Sequence, residues 1–233
     1  MTQQDTNKNL KFTNSICSCI EFTGDGCVDF LNNLLISDIT NLSRNKCYFS
    51  ALCNPKGRII SSLWICIENL NQINIICPTN LVETLINFFN MRKFRLKIKI
   101  NQSHNDLVIN SNTVRILSTN DNTSNQTSLE QFYDHLFTNN LAWIDAKNTE
   151  KFIPQHVNMD QHENIMSFSK GCYPGQEIIA RIKYLGKIKK RMKLIESDNK
   201  TKLSNQINLR NQVSPIMQVG TGKFSVQVIE NVD

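Results

Sequence analysis

The sequence predicts an α+β fold: mixed sheets with helices packed on them, followed by a small C-terminal β module. Three observations predict it. Short apolar stretches alternate at period two, as in SICSCIEF and KFSVQVIE. Others repeat at helical spacing, as in LVETLINFFNMRKF, where Leu81, Leu85, Phe88 and Phe89 share a face. Between two apolar runs lies NPKG, Asn54 to Gly57, a strong turn signal that makes the pair a β-hairpin.

The elements follow in order. Residues 15–22 read as a strand. Gly24 and Gly26 form a turn, and Asp25 or Gly26 caps a helix from about Cys27 to Leu35, with Val28, Leu31, Leu34 and Leu35 on one face. The hairpin comes next, then a strand at INIICP, the helix opening at Leu81, and an alternating strand at RLKIKI. Residues 101–128 are rich in Asn, Ser and Thr. STNDNTSNQTS is loop-like, whereas LVIN and TVRIL fit short strands. SLEQFYDHLF is a helix opened by Ser128, with Glu130 in its first turn. From Leu185 onward KRMKLIE, QVSPIMQVGT and KFSVQVIE alternate, and this end reads as all-β. The chain thus divides into α+β segments 1–100 and 101–184 and a β segment 185–233.

Composition narrows the function classes. The 233 residues include no run of about 18 apolar residues, so no membrane span is expected. MTQQDTNKNLKF lacks the apolar core of a secretory signal, and a cytoplasmic location is expected. Seven of the eight cysteines lie in the first third, and Cys172 stands alone. No CxxC occurs, which argues against a zinc ribbon or a thioredoxin-like site. The cysteines in SLWICI and INIICP read as small core residues, and a disulfide framework is not expected. The net charge of +6 is concentrated in two runs, residues 92–99 and 181–193. Such runs are either solvated faces or attractors of polyanions such as tRNA or a polyglutamylated ligand.

The most distinctive stretch is KGCYPGQE, Lys170 to Glu177. Pro174 suits the first position of a helix spanning Gln176 to Tyr184, with Ile178, Ile179 and Ile182 on its apolar face. Cys172 then precedes a helix N-terminus, with Lys170, Arg181 and Lys183 close in sequence. The helix dipole and nearby cations favour a thiolate. The alternative is a buried, inert thiol beside a tight glycine turn. A Cys–His nucleophile would draw its base from His156 or His162. Glu177 is either a ligand-orienting group or a first-turn acid favourable to the dipole.

KGCYPGQEIIARIKYLGKIKKR resembles the signature of the YgfZ folate-binding proteins, in the superfamily of the glycine-cleavage T-protein. FIPQHVNMD, ISDITNL and CNPKGRI resemble the family's other segments. The resemblance implies a T-protein-like α+β body with a central tetrahydrofolate channel and a small C-terminal β-barrel, whole or partial. The folate-binding subdomain would be residues 1–100, and 101–184 would carry the motif. It further implies support of iron–sulfur cluster assembly or repair, and thereby of tRNA modification. Folate and iron–sulfur enzymes or assembly proteins would be partners, and a cluster or iron would bind Cys172 only in passing. Carried over, the functional residues are Cys172, Lys170 and Glu177, with Gly171, Tyr173, Gly175, Gln176 and Arg181 around them. Asn54, Lys56 and Arg58 would contribute from the hairpin, and Phe132 would stack on the pterin.

Two alternatives stand beside this. A folate-dependent aminomethyltransferase needs a carboxylate in the channel. T-proteins carry an acidic pair where this chain has Ser61 and Ser62, and a hydroxyl has no accessible anionic form at neutral pH. Asp25, Asp29 and Asp38 are the remaining candidates. Thr138 replaces another acid of the family, removing an acceptor for pterin N–H groups at a cost of about 1 to 3 kcal/mol. The other alternative, a tRNA-binding module, rests on the two basic runs.

Overall fold

The structure, a computed structural model, describes residues 16–44, 46–103, 106–110, 113–117, 127–220 and 222–232. Its frame is a five-stranded antiparallel sheet in the order β2-β3-β4-β1-β5. The strands are β1 (Cys17–Thr23), β2 (Cys47–Cys53), β3 (Ile59–Asn69), β4 (Gln72–Pro78) and β5 (Lys99–Ser103). Both faces of this sheet are covered, which explains the nearly continuous apolar character of β3 and β4. Ile20 and Phe22 of β1 and Leu63, Ile65 and Ile67 of β3 pack with helices α1 (Cys27–Asn32) and α2 (Val82–Lys93). Cys17, Cys19 and Trp64 point the other way, into a second core built with α3 (Leu129–Thr138). That core also takes in Tyr173, Ile179, Met192 and Ile229, so one apolar cluster joins the sheet, the motif segment and the C-terminal strands.

The NPKG hairpin forms as expected. Asn54 Oδ1 accepts from the backbone N–H groups of Lys56 and Arg58 at 2.9 and 3.0 Å, and Gly57 supplies the left-handed residue at φ 71°. The α3 helix opens on Ser128 through a full capping box with Gln131. LVIN and TVRIL form the hairpin β6 (Asp106–Asn110) and β7 (Thr113–Leu117). Most of STNDNTSNQTS lies outside the described residues.

Several expectations need correction. The first helix ends at Asn32 rather than Leu35, because Leu35 leaves the helix to bridge Leu52 of β2. Strand β5 begins at Lys99 and continues to Ser103, where pairing with β1 fixes its register. Pro174 is not the first residue of a helix. Helix α4 (Gln176–Leu185) starts after Gly175, whose left-handed φ of 82° forms the N-cap. The C-terminal segment is not all-β. Helix α5 (Lys200–Gln206), capped by the Asn199 side chain on Lys202 N–H, interrupts β8 (Lys190–Ser197), β9 (Met217–Gln218) and β10 (Phe224–Asn231). These strands form an open three-stranded sheet, β8-β10-β9, with no closed barrel among the described residues. Cys47 and Cys66 stand directly opposite in the β2–β3 register and are joined by a disulfide. Among the described residues, no helix is long and apolar enough to cross a membrane.

Candidate functional site

The KGCYPGQE loop is fastened at both ends. Lys170 Nζ donates to three backbone carbonyls at and beyond the end of α1: Asn32, Leu35 at 2.5 Å and Ser37 at 2.8 Å. It also lies 5.0 Å from the Tyr173 ring centroid. Of the three, the Asn32 carbonyl is a helix-end acceptor left without an intrahelical partner, which favours a cation. At the other end Gly175 packs on the hairpin turn. A Cβ there would lie 2.5 Å from the Asn54 carbonyl oxygen and 2.6 Å from Gly57 Cα. Gly57 in turn faces Ile178 and Ile179 of α4. The two glycines thus let two backbones meet, docking CNPKGRI against KGCYPGQE. Between the anchors Tyr173 is buried, its hydroxyl donating to the Ser167 carbonyl at 3.3 Å. Gln176 Nε2 reaches the Lys170 carbonyl at 3.5 Å. Gly171 is exposed and open, with nothing within 4 Å of the place a Cβ would occupy.

Cys172 is the exposed member of the six free cysteines; the other five are buried. Burial pushes Cys19 up to about 11, and raises Cys17, Cys53 and Cys77 strongly, so these thiols are inert. The cations expected to assist Cys172 are engaged elsewhere. Lys170 is held by the carbonyls. Arg181 pairs with Glu177 at 2.8 Å on the exposed face of α4. Lys183 lies 3.6 Å from the Phe168 ring centroid. Among the described residues, neither His156 nor His162 hydrogen-bonds Cys172; each lines a different cavity. Lys170 thus ties the loop to the segment that follows α1.

Burial pulls the Lys170 ammonium from its ordinary 10.5 down to about 8, against the opposing pull of Asp38. The unfolded chain then holds that proton more tightly than the folded one. Between pH 8 and 10.5 this group makes the fold more stable as pH rises, and below pH 8 its contribution is flat. Urea midpoints at pH 7 and pH 10 test this. The native protein should gain on Lys170→Met at the higher pH; an unchanged difference contradicts the burial.

A cavity of about 630 Å³ opens between the sheet and α3. Trp64, Phe49 and Tyr48 give it aromatic walls, and Arg44 and Lys46 line it on the strand β2 side. His135, Asn139, His162 and Glu163 add polar groups. The Nε2 atom of His162 is buried without a partner. Such a site suits a flat ring carrying donors, joined to an anionic end. Phe132 does not line it. It is fully buried behind Trp64, with ring centroids 5.7 Å apart, and Thr138 is exposed. Ser61 and Ser62 are buried and bonded internally, Ser62 Oγ accepting from Ile144 N–H at 2.8 Å. Asp38 accepts from the Thr40 hydroxyl and backbone N–H, which holds its carboxyl below the usual range. It braces a turn. Asp25 and Asp29 are exposed near the start of α1. Asn54, Lys56 and Arg58 belong to the turn, Arg58 also donating to the Lys151 carbonyl at 2.6 Å. No group of three or more His, Cys, Asp or Glu side chains suited to a metal occurs among the described residues.

No family model matches the chain. A tRNA-modifying protein YgfZ from Blochmanniella pennsylvanica is 31% identical over 220 residues, covering 72% of this chain and 65% of the relative. The chain is similar to the YgfZ proteins over 72% of its length. A YgfZ protein from Photobacterium profundum is 42% identical over 71 residues, covering 30% of this chain and 21% of its own. One from Pectobacterium carotovorum is 58% identical over 43 residues, covering 18% and 13%. The chain spans 65% of the length of the Blochmanniella YgfZ protein. The aminomethyltransferase T of Bartonella henselae superposes with a TM-score of 0.38 at 18% identity, covering 40% of this chain and 26% of that one.

The cavity-lining Trp64, Tyr48, Arg44, Lys46, His162 and Glu163 were not legible as such in the sequence. Trp64 had one usable signal: it lies on the opposite face of β3 from Leu63 and Ile65, beside the cysteines rather than in the α1–α2 core.

Proposed function

We propose that this chain is a cytoplasmic, folate-binding accessory protein that supports iron–sulfur enzymes of tRNA modification through the thiol of Cys172. The observation that carries this reading is a lone exposed cysteine at the crown of a loop anchored on both sides, by Lys170 and by Gly175. Anchoring of this kind presents a nucleophile or ligand without the entropy loss of ordering it on each encounter. The relatives named tRNA-modifying protein support the cellular context.

Tetrahydrofolate fits the large cavity. Trp64 and Tyr48 would flank its ring, and Arg44 and Lys46 would meet its carboxylates. Glu163 and Asn139 are acceptors that would replace the acid missing at Thr138. Iron, or a cluster in passage, is cargo rather than a resident group. Cys172 supplies one thiolate, and the remaining ligands come from the client protein. The basic runs at 92–99 and 181–193 would face tRNA. An aminomethyltransferase reading has less support, because Ser61 and Ser62 provide no carboxylate and both are enclosed.

The folate part is tested by titrating tetrahydrofolate and folinic acid against the full chain. Trp64 and Trp143 are the two tryptophans; Trp64 lines the cavity, and the two ring centroids lie 5.0 Å apart. Saturable quenching of their fluorescence, with a rise in Tm, is the expected result. No change at millimolar ligand removes folate from the proposal.

A further inference from the structure

A second cavity, about 360 Å³, has a different chemistry. It lies where the hairpin turn meets the C-terminal sheet. Arg58 follows the turn, Lys151 and His156 come from the connection before the motif, Lys190 opens β8, and Arg210 sits in a short 3₁₀ turn. Phe152 gives it an apolar wall. No carboxylate lines it. Among the described residues none of Arg58, Lys151, Lys190 or Arg210 forms an ion pair.

The neighbouring charges make this selective. On the same strand, Arg191 turns away to a bidentate pair with Asp160, at 2.5 and 2.8 Å, and Lys193 pairs with Glu230 at 3.2 Å. Glu150, next to Lys151, accepts from Asn54 Nδ2 at 2.9 Å. The nearby acids are bonded to other partners, while four exposed cations from segments distant in sequence converge on one concavity. Burial first, then Lys190, Arg58 and Arg191, hold His156 below its ordinary range, so the charge of the pocket resides in the Arg and Lys side chains. Like charges gathered in a concave site repel one another and focus a positive potential, and an anion relieves both.

We propose that this pocket binds phosphate groups, with Arg58 and Arg210 as forked donors and Lys151 and Lys190 as point charges. Guanidinium forks match phosphate oxygens, and an unpaired ammonium beside them adds charge without demanding geometry. The phosphate belongs either to an RNA backbone or to a free phosphorylated molecule. The proposal deepens the tRNA contact named above, on which its RNA arm rests because Lys190 belongs to the 181–193 run, and it uses neither Cys172 nor folate.

The test titrates inorganic triphosphate and an unmodified tRNA transcript against the full chain, from about 50 to 200 mM salt. Lys190→Ala/Arg210→Ala should weaken binding by about tenfold or more and lower the salt slope for tRNA by about 2. Lys200→Ala/Lys202→Ala, on exposed α5, should leave both unchanged. Binding of both probes, lost in the first variant, assigns the site to RNA backbone. Triphosphate binding alone assigns it to a free phosphorylated molecule. A native chain that binds neither probe, or a Lys190/Arg210 variant that binds as the native chain does, overturns the proposal. Urea midpoints and the tetrahydrofolate titration on the same variants separate this failure from misfolding and from failure of the folate reading.

Discussion

Gly175→Ala is expected to cost on the order of 3 kcal/mol in folding stability, more than alanine at any other glycine of the motif. Two effects add. The residue has φ 82°, where an L side chain costs roughly 1 kcal/mol. The new methyl would also meet the Asn54 carbonyl oxygen at 2.5 Å and Gly57 Cα at 2.6 Å, and both obstacles are backbone. Backbone cannot swing aside as a side-chain tip does, so α4 or the hairpin turn must shift. Gly26 separates the two effects. It has the same φ of 82° but nothing within 4 Å of an added Cβ, so Gly26→Ala should cost only about 1 kcal/mol. Gly171→Ala should cost least, since nothing crowds that position. Urea unfolding of the three variants measures the order. Equal losses for Gly175→Ala and Gly26→Ala would mean that the turn and the motif are not held by backbone contact.

That contact shows where sequence reading stops. The hairpin was legible because Asn54, Gly57 and the flanking apolar runs are local, and so was the helix start at Ser128, though not its capping box with Gln131. Docking of Gly57 on Gly175 joins segments far apart in the chain, and neither segment encodes it by pattern. The same holds for the Lys170 anchor. Its charge beside a cysteine suggested chemistry, whereas its three carbonyl partners are far away in the sequence. The Cys47–Cys66 bridge depends on the β2–β3 register, which a count of cysteines does not contain. Helix α5 escaped because Leu203 is its single buried residue, leaving no apolar stripe to detect. Phe132 was found as an aromatic of the right helix, but Trp64 stands between it and the cavity.

Cys172→Ala is the change expected to abolish function while leaving the fold nearly untouched. The side chain is exposed and makes no hydrogen bond among the described residues, so its loss removes little packing or bonding; a surface change of this kind moves stability by about 0.5 kcal/mol or less. Urea midpoint and tetrahydrofolate quenching should match the native chain. Support of iron–sulfur enzymes should vanish in cells that depend on this protein, read as loss of thiolated tRNA. Alkylation supplies the chemical half of the argument. Iodoacetamide should mark the native chain at Cys172 alone, because the other five free thiols are buried. A Cys172 that resists the reagent, or an alanine variant that restores thiolated tRNA in full, removes the thiol from the mechanism. Lys170→Met discriminates further. If Lys170 acts only by anchoring the loop, that variant should lose stability and weaken function together, and a stabilising condition should recover both. If it instead acts on a ligand, function would fall while the urea midpoint stayed in place.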